Sequence, residues 1–253
     1  MRTAAFVSSS TSGIVTPGVA TQNQPIERLP FTVRVVDDPA SLGKAVRLRQ
    51  TAYGRHVPEL ARQLHQPESH DSAPGVAVLL AESKLDGEPL GTMRIQTNVH
   101  APLWLEQSVM LPDDLQHSEL AEATRLGVMS GGEGRLAKTA IFKAYYLYCV
   151  RQQIDYMVIA GRSPLDRQYL ALLFHDVFPE RGFIPMQHAG NIPHRVLAFE
   201  VATARKRWQD AGHPLFQFVF GTHHPDIRID VGPGTRATGR RGAELPVPAA
   251  PTW

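Results

Sequence analysis

The chain has 253 residues, 43% of them hydrophobic and 20% charged, the balance of a soluble globular protein with room for one sizeable core. A formal net charge of +2 argues against a nucleic-acid ligand held by bulk charge. One cysteine, Cys149, excludes an intrachain disulfide and points to a reducing, cytoplasmic setting. No run of about 18 apolar residues is present, so no membrane-spanning helix is expected.

Residues 1–29 are rich in Ser, Thr, Gly, Gln and Pro without periodicity, and are expected to be a disordered lead-in. The opening MRTAAFVSSSTSG has an apolar core too short for a signal peptide. FTVRVV (31–36) alternates branched and polar residues and reads as a strand. A helix follows near Pro39, with apolar positions at Leu42, Ala45, Val46, Leu48 and Ala52. This region is also basic: Lys44, Arg47, Arg49, Arg55 and Arg62 stand against one acid, Glu59. A solvated helix face and a patch for an acidic partner both fit that pattern.

VAVLLAES and LGTMRIQT flank an Asp86-Gly87 turn and make a hairpin. LAEATRLGVM (120–129) reads as a further strand, followed by a glycine turn. Residues 135–151 are apolar almost all round, as in a buried helix. Cys149 falls there and is expected to pack as a small hydrophobe rather than serve as a catalytic thiol. DYMVIAG (155–161) has the continuous apolar character of a central strand, PLDRQYLALLFHDVF (164–178) is helical by pattern, and RGFIPMQHA with HRVLAFEVA is expected to form a closing strand pair. The tail 231–253 matches the lead-in in composition. The order predicts one α/β domain over 30–230, a mixed central sheet with helices on its faces.

Three features carry possible chemistry. Gly131, Gly132 and Gly134 stand between a strand and a helix, where exposed backbone N–H groups and the helix dipole favour an anion. Arg135 and Lys138 would add charge-assisted contacts. The run is neither a Walker loop nor G-x-G-x-x-G, so a structural turn and an anion cradle stay open. Glu122 lies in an apolar strand, where a carboxylate must be paired, hydrogen-bonded or at an edge. A salt bridge to Arg125 is disfavoured, because strand side chains three apart point to opposite faces unless a β-bulge intervenes. A partly desolvated Glu with a raised pKa suits a general base acting on an amine; Arg125 would then fix another element or a substrate carboxylate. Tyr169 is either a core aromatic or a proton donor to a leaving thiolate. His65, His70, His223 and His224 lack a recognised metal-ligand spacing, and no G-x-S-x-G elbow is present.

With these residues placed, the chain from about 31 to 203 resembles the GNAT-type N-acyltransferases, above all the branch of bacterial N-acyl amino acid synthases and acyl-homoserine-lactone synthases. The branch's early Arg-x-x-hydrophobic helix is matched by RLRQTAYGR, with Arg47, Arg49 and Tyr53. Its acidic position is matched by PESHD, with Glu68 and Asp71. Its G-x-x-R appears as Gly91-Thr92-Met93-Arg94, and its E-x-[ST]-R as Glu122-Ala123-Thr124-Arg125.

The resemblance implies a GNAT-like single domain with no tightly bound cofactor and no metal. Acyl-phosphopantetheine on an acidic acyl carrier protein, or acyl-CoA, would be the co-substrate, and a small amine the acceptor. Val128, Met129, Gly131, Gly132, Gly134, Arg135 and Lys138 would hold the pantetheine arm, which lies between two splayed strands. Backbone N–H groups of the first would polarise the thioester carbonyl. Arg49, Tyr53, Asp71, Arg94 and Arg125 would serve the substrate side, Glu122 would take the amine proton, and Tyr169 would protonate the thiol.

Two departures bear on the substrates. The general pyrophosphate loop [RQ]-x-x-G-x-[GA] has Met129 at its first position here, which suits a carrier-bound acyl chain better than CoA. The first 100 residues contain no Trp, whereas homoserine-lactone synthases enclose S-adenosylmethionine with Trp-bearing segments, so an amino acid or similar amine is the expected acceptor. The alternatives are a short-chain acyl-CoA acetyltransferase, an inactive GNAT-like domain that binds a carrier protein or acyl ligand, and a nucleotide binder built on the glycine turn.

Overall fold

The structure is a computed structural model and describes residues 24–230. The expected tail 231–253 and residues 1–23 of the expected lead-in lie outside the described residues. Residues 24–29 are held against the domain. Ile26 bridges to His223, Leu29 is buried, and the Leu29 N–H donates to the Asp226 carboxylate at 2.9 Å.

The elements run β1 (Phe31–Val35), α1 (Pro39–Gly54), α2 (Pro58–Gln63), β2 (Val76–Ser83), β3 (Pro89–Thr97), α3 (Asp113–Gln116), β4 (Leu120–Val128) and α4 (Gly132–Arg151). They continue with β5 (Tyr156–Arg162), α5 (Asp166–Ala171), β6 (His175–Asp176), β7 (Ile184–Met186), β8 (Ile192–Glu200), α6 (Ala204–Asp210) and β9 (Ile227–Arg228). The described strands form one mixed sheet in the order β6-β8-β5-β4-β3-β2-β1-β9, with β7 also on β8. The expected strand, hairpin and helix order from 31 to 162 is present. Asp38 caps α1 by accepting from the Ser41 N–H, with Pro39 at the first helical position, as cap chemistry favours.

Strand alternation sends the two helical layers to opposite faces. Ala77, Leu79 and Ala81 of β2 join Ala137, Ala140, Ile141 and Ala144 of α4 in one core, while Val78 and Leu80 pack with Ala45 of α1 on the other. The glycine of G-x-x-R has a packing reason: a Cβ on Gly91 would stand 2.5 Å from Ile141 Cδ1, so α4 seats directly on the sheet there.

Two expectations are corrected. The helix over 164–178 is confined to Asp166–Ala171. Leu173 turns into the left-handed region at φ +67°, and His175–Asp176 then pair with β8, so the sheet edge captures what the periodicity assigned to a helix. In the closing pair, RGFIPMQHA is strand only over Ile184–Met186 before a 3-10 turn at Gln187–Ala189. Residues 98–118, which have no clear periodicity, supply a 3-10 turn at Trp104–Gln107 and α3. They bury Leu103, Leu105, Val109, Leu111 and Leu115 in a second apolar cluster.

The feature that positions the site lies between β4 and β5. These strands pair in parallel only over Leu120–Ala123 and Tyr156–Ile159. The Tyr145 hydroxyl of α4 bonds the Ala121 carbonyl and accepts from the Val158 N–H at 3.2 Å, pinning the strands just before they part. Beyond Ala123, β4 remains paired with β3 alone, and its other edge opens onto a cleft.

Candidate active site

The cleft holds a cavity of about 340 Å³, walled by Thr124–Met129 of β4 and its loop, Ala160–Arg162 of β5, the α1–α2 junction around Tyr53 and Val57, and Tyr169 of α5. Its shape follows from a β-bulge. Arg94 of β3 pairs with Thr124 and Thr92 pairs with Gly127, so Met93 faces two residues, Arg125 and Leu126. Arg125 absorbs the extra residue with φ +54°, a strained conformation for a side chain of its size.

The bulge does not join Glu122 to Arg125. Arg125 forms a two-pronged ion pair with Glu68, Nε at 2.8 Å and Nη2 at 2.7 Å. Arg94 reaches Glu68 at 2.9 Å and Asp71 at 3.2 Å, and Arg49 reaches Asp71 at 2.7 Å. All four matched sequence patterns therefore meet in one charge network. Burial pushes the Glu68 carboxyl up, but the bonds and charge of Arg125, with Arg94 and Arg49, outweigh it and hold the pKa at about 2. Trp104 stacks over Arg94, the guanidinium carbon 3.7 Å from the ring centroid, a favourable cation–π geometry. Of the expected substrate-side residues, Tyr53 and Arg125 line the cavity. Arg49, Asp71 and Arg94 are buried behind its wall.

Glu122 sits apart from that network with a side chain that is 0% exposed. Its Oε2 accepts from the Leu105 N–H at 3.2 Å, while Oε1 has no hydrogen-bond partner among the described residues. Burial raises its pKa to about 7, opposed by the backbone of Leu105 and Trp104 and by Arg94. Its nearest basic group is His188, with Nε2 3.8 Å from Oε1. His188 lines the cavity. Burial, then the charges of Arg125, His194 and Arg94, lower its pKa to about 4 against a weak pull from the Trp104 backbone, so the imidazole is neutral at physiological pH. A carboxyl poised near neutrality beside a cleft suits proton abstraction from an amine.

At the mouth, Gly131 takes φ +96° and Gly134 leaves no room for a side chain, since a Cβ would lie 1.9 Å from the Met129 carbonyl oxygen. The loop thus folds tightly into the N-terminus of α4, with the Met129 side chain exposed. Lys138 lines the cavity and donates to Gln168 Oε1 at 2.8 Å; burial lowers its pKa. Arg135 is exposed on the first turn of α4. Arg55, from the end of α1, clasps the loop by donating to the Val128 carbonyl at 2.7 Å and to the Ser130 hydroxyl. Tyr169 lines the cavity, packed against Phe142 and Phe174 and so close to Gly161 that a Cβ there would meet its ring at 2.9 Å. Burial raises its pKa, keeping the phenol protonated.

The basic segment 44–62 does not form one free patch. Lys44 is tied to Glu82, Arg49 is buried on Asp71 and Arg62 pairs with Glu59, whereas Arg55 faces the loop. Sequence reasoning missed His188, Trp104 and Leu105 as neighbours of the site. Trp104 and Leu105 lie in an aperiodic segment and His188 in a stretch read as a strand that is a 3-10 turn, and only the fold brings them to β3 and β4.

No protein-family model matches the sequence, and no curated protein matches it either. Among solved structures, the chain is similar to FeeM, an N-acyl amino acid synthase from uncultured soil microbes. The identity is 17% and the TM-score 0.55, over 74% of this chain and 96% of that one. It is also similar to BjaI, a CoA-dependent acyl-homoserine lactone synthase solved with SAM and isopentyl-CoA, at 13% identity and TM-score 0.50, over 79% and 93%. The mixed sheet, its splayed central strands and these likenesses together give the chain a GNAT-like fold.

Proposed function

We propose that this protein is an N-acyltransferase that moves an acyl group from a phosphopantetheine thioester to the amine of an amino acid or similar small acceptor. The observation that carries the reading is Glu122, a wholly buried carboxyl with a pKa of about 7 that stands behind the lining residues Ala123 and His188 of the cavity that opens where β4 leaves β5. Burying such a group against its own desolvation is costly, and a base tuned to physiological pH is a use that offsets the cost.

The thioester arm enters along the open edge of β4, with its phosphate end at Gly131, Gly132 and Gly134 and the exposed Arg135 nearby. Backbone N–H groups of that edge polarise the acyl carbonyl. The amine reaches the carbonyl from the His188 side, Glu122 receives its proton, and Tyr169 protonates the leaving thiolate. Arg125 and Tyr53 shape the acceptor end of the cavity, held by the charge network of Glu68, Asp71, Arg49 and Arg94. An acidic carrier protein is the favoured donor, because Met129 replaces the Arg or Gln of the general pyrophosphate loop, while Arg55 and Arg135 offer positive charge at the mouth. That the likenesses include an N-acyl amino acid synthase and a CoA-dependent enzyme supports this reaction class and leaves both donors to be compared.

Mass spectrometry of organic extracts from cells expressing the protein, beside a Glu122→Ala control, tests the reading. New N-acyl amino acids in the wild-type extract alone identify donor chain and acceptor together. Identical extracts, with an acyl ligand co-purifying unturned, would favour a binding domain instead.

A further inference from the structure

A primary amine that attacks a thioester carbonyl has one lone pair directed at the carbon and two N–H bonds directed elsewhere. Glu122 satisfies one of these. The second faces whatever stands beside Glu122, and in this fold that is His188. The imidazole is carried by the 3-10 turn Gln187–Ala189, lines the cavity, and brings Nε2 within 3.8 Å of Glu122 Oε1. Glu122, next in the chain to the cavity-lining Ala123, keeps Oε1 buried without a hydrogen bond among the described residues, and so does His188 at Nδ1. Two acceptors 3.8 Å apart, each about 2.9 Å from one nitrogen, subtend roughly 80° at it, which bends each hydrogen bond by only ~15°.

We infer that His188 Nε2 and Glu122 Oε1 form a two-point site for the acceptor's amine, and that this site selects primary amines. The inference rests on the acyltransferase reading above. His188, neutral through the physiological range, accepts one N–H and keeps it through the reaction. Glu122 accepts the other N–H and takes its proton as the nitrogen bonds to the acyl carbon. The C–S bond then breaks, Tyr169 gives its proton to the departing thiolate, and the proton held by Glu122 makes good that loss, so one amine proton ends on the thiol. The product is a secondary amide whose remaining N–H still faces His188. A secondary amine has one N–H too few and leaves a buried acceptor unpaired, a defect that discriminates strongly in enclosed sites.

The test uses the full-length protein, octanoyl and palmitoyl thioesters of both CoA and acyl carrier protein, and the twenty protein amino acids, of which proline is the secondary amine. The best acceptor is then compared with its N-methyl form. Wild type is expected to favour the primary amine by at least 100-fold in kcat/KM, and His188→Phe, which keeps a ring but no acceptor nitrogen, to reduce that ratio at least tenfold. Equal use of both amines by wild type overturns the inference whether or not the variant folds, and so does an undiminished ratio in His188→Phe, which would assign the preference to shape. In both cases the acyltransferase reading stands. Transfer to no amine at all overturns that reading and this inference with it.

Discussion

At the residue scale one carboxyl, Glu122, links the proposed chemistry to the stability of the fold. If Glu122 is the base, kcat/KM carries an inflection near pH 7, with activity lost as pH falls through it, because protonation removes the base. Glu122→Gln should lower kcat by 10²-fold or more and abolish that inflection; steady-state rates between pH 5.5 and 8.5 check both. The same group makes an opposite prediction for stability. Its folded-state pKa lies above the ordinary 4.5, so its contribution is fully favourable below that value and is lost as pH rises through about 7. At pH 8 the ionised, buried Glu122 then costs on the order of 3 kcal/mol, and Glu122→Gln should melt higher than wild type there while being slower. Glu68 has the reverse sign. With its pKa held at about 2, it stabilises above 4.5 and loses that contribution as pH falls towards 2. Glu68→Ala takes both carboxylate bonds from the largely buried Arg125 and leaves the fully buried Arg94 with Asp71 alone, and should cost about 3–5 kcal/mol in chemical denaturation at pH 7.

At the element scale, the sheet was readable where its residues obey one period. β1 follows from alternation, β2 and β3 from the runs that flank the Asp86-Gly87 turn, α4 from the apolar character of 135–151, and β5 from its continuous apolar run, with β4 read as a strand before the glycine turn. The reading stops where tertiary contacts overrule the period. Leu173 breaks a helix whose apolar pattern runs on, because the chain behind it is drawn onto β8. The strand rule separates Glu122 from Arg125 correctly, yet nothing local announces the bulge that lets Arg125 reach Glu68, 57 residues away in sequence. Likewise, G-x-x-R and E-x-[ST]-R name Arg94, Glu122 and Arg125, but the network that joins the two arginines to Glu68 and Asp71 exists only once four elements meet. The glycine turn offers an element-scale test. Gly134→Ala drives a Cβ into the Met129 carbonyl, whereas at Gly132 the nearest atom is the movable Arg135 guanidinium at 3.8 Å. Gly134→Ala should therefore raise the KM for the donor thioester at least tenfold and cost about 1–3 kcal/mol by denaturation, with Gly132→Ala near wild type in stability.

At the scale of the whole molecule, the layout divides labour across the sheet. α4 and its apolar core hold β4 and β5 together through Tyr145 as far as Ala123. Past that point the strands are free to part, and the opening falls between the carboxyl of Glu122 and the glycine loop. α1 packs on the opposite face, contributes Arg49 to the charge network and is followed by Arg55 over the loop, so the cavity wall at Arg125 and the loop after β4 both lean on one helix. What the sequence alone left open was how these parts face one another, since the relevant contacts span long sequence separations and short aperiodic turns. The proposed function requires that an acyl group pass from a thioester to an amine in this cleft. The most direct measurement incubates the purified protein with ¹³C-acyl thioesters of carrier protein and of CoA and with ¹⁵N-labelled amino acids, and reads the product mass. An amide carrying both labels is expected from wild type, reduced at least 100-fold in Glu122→Gln. No doubly labelled product with either donor, or equal product from Glu122→Gln, would contradict it.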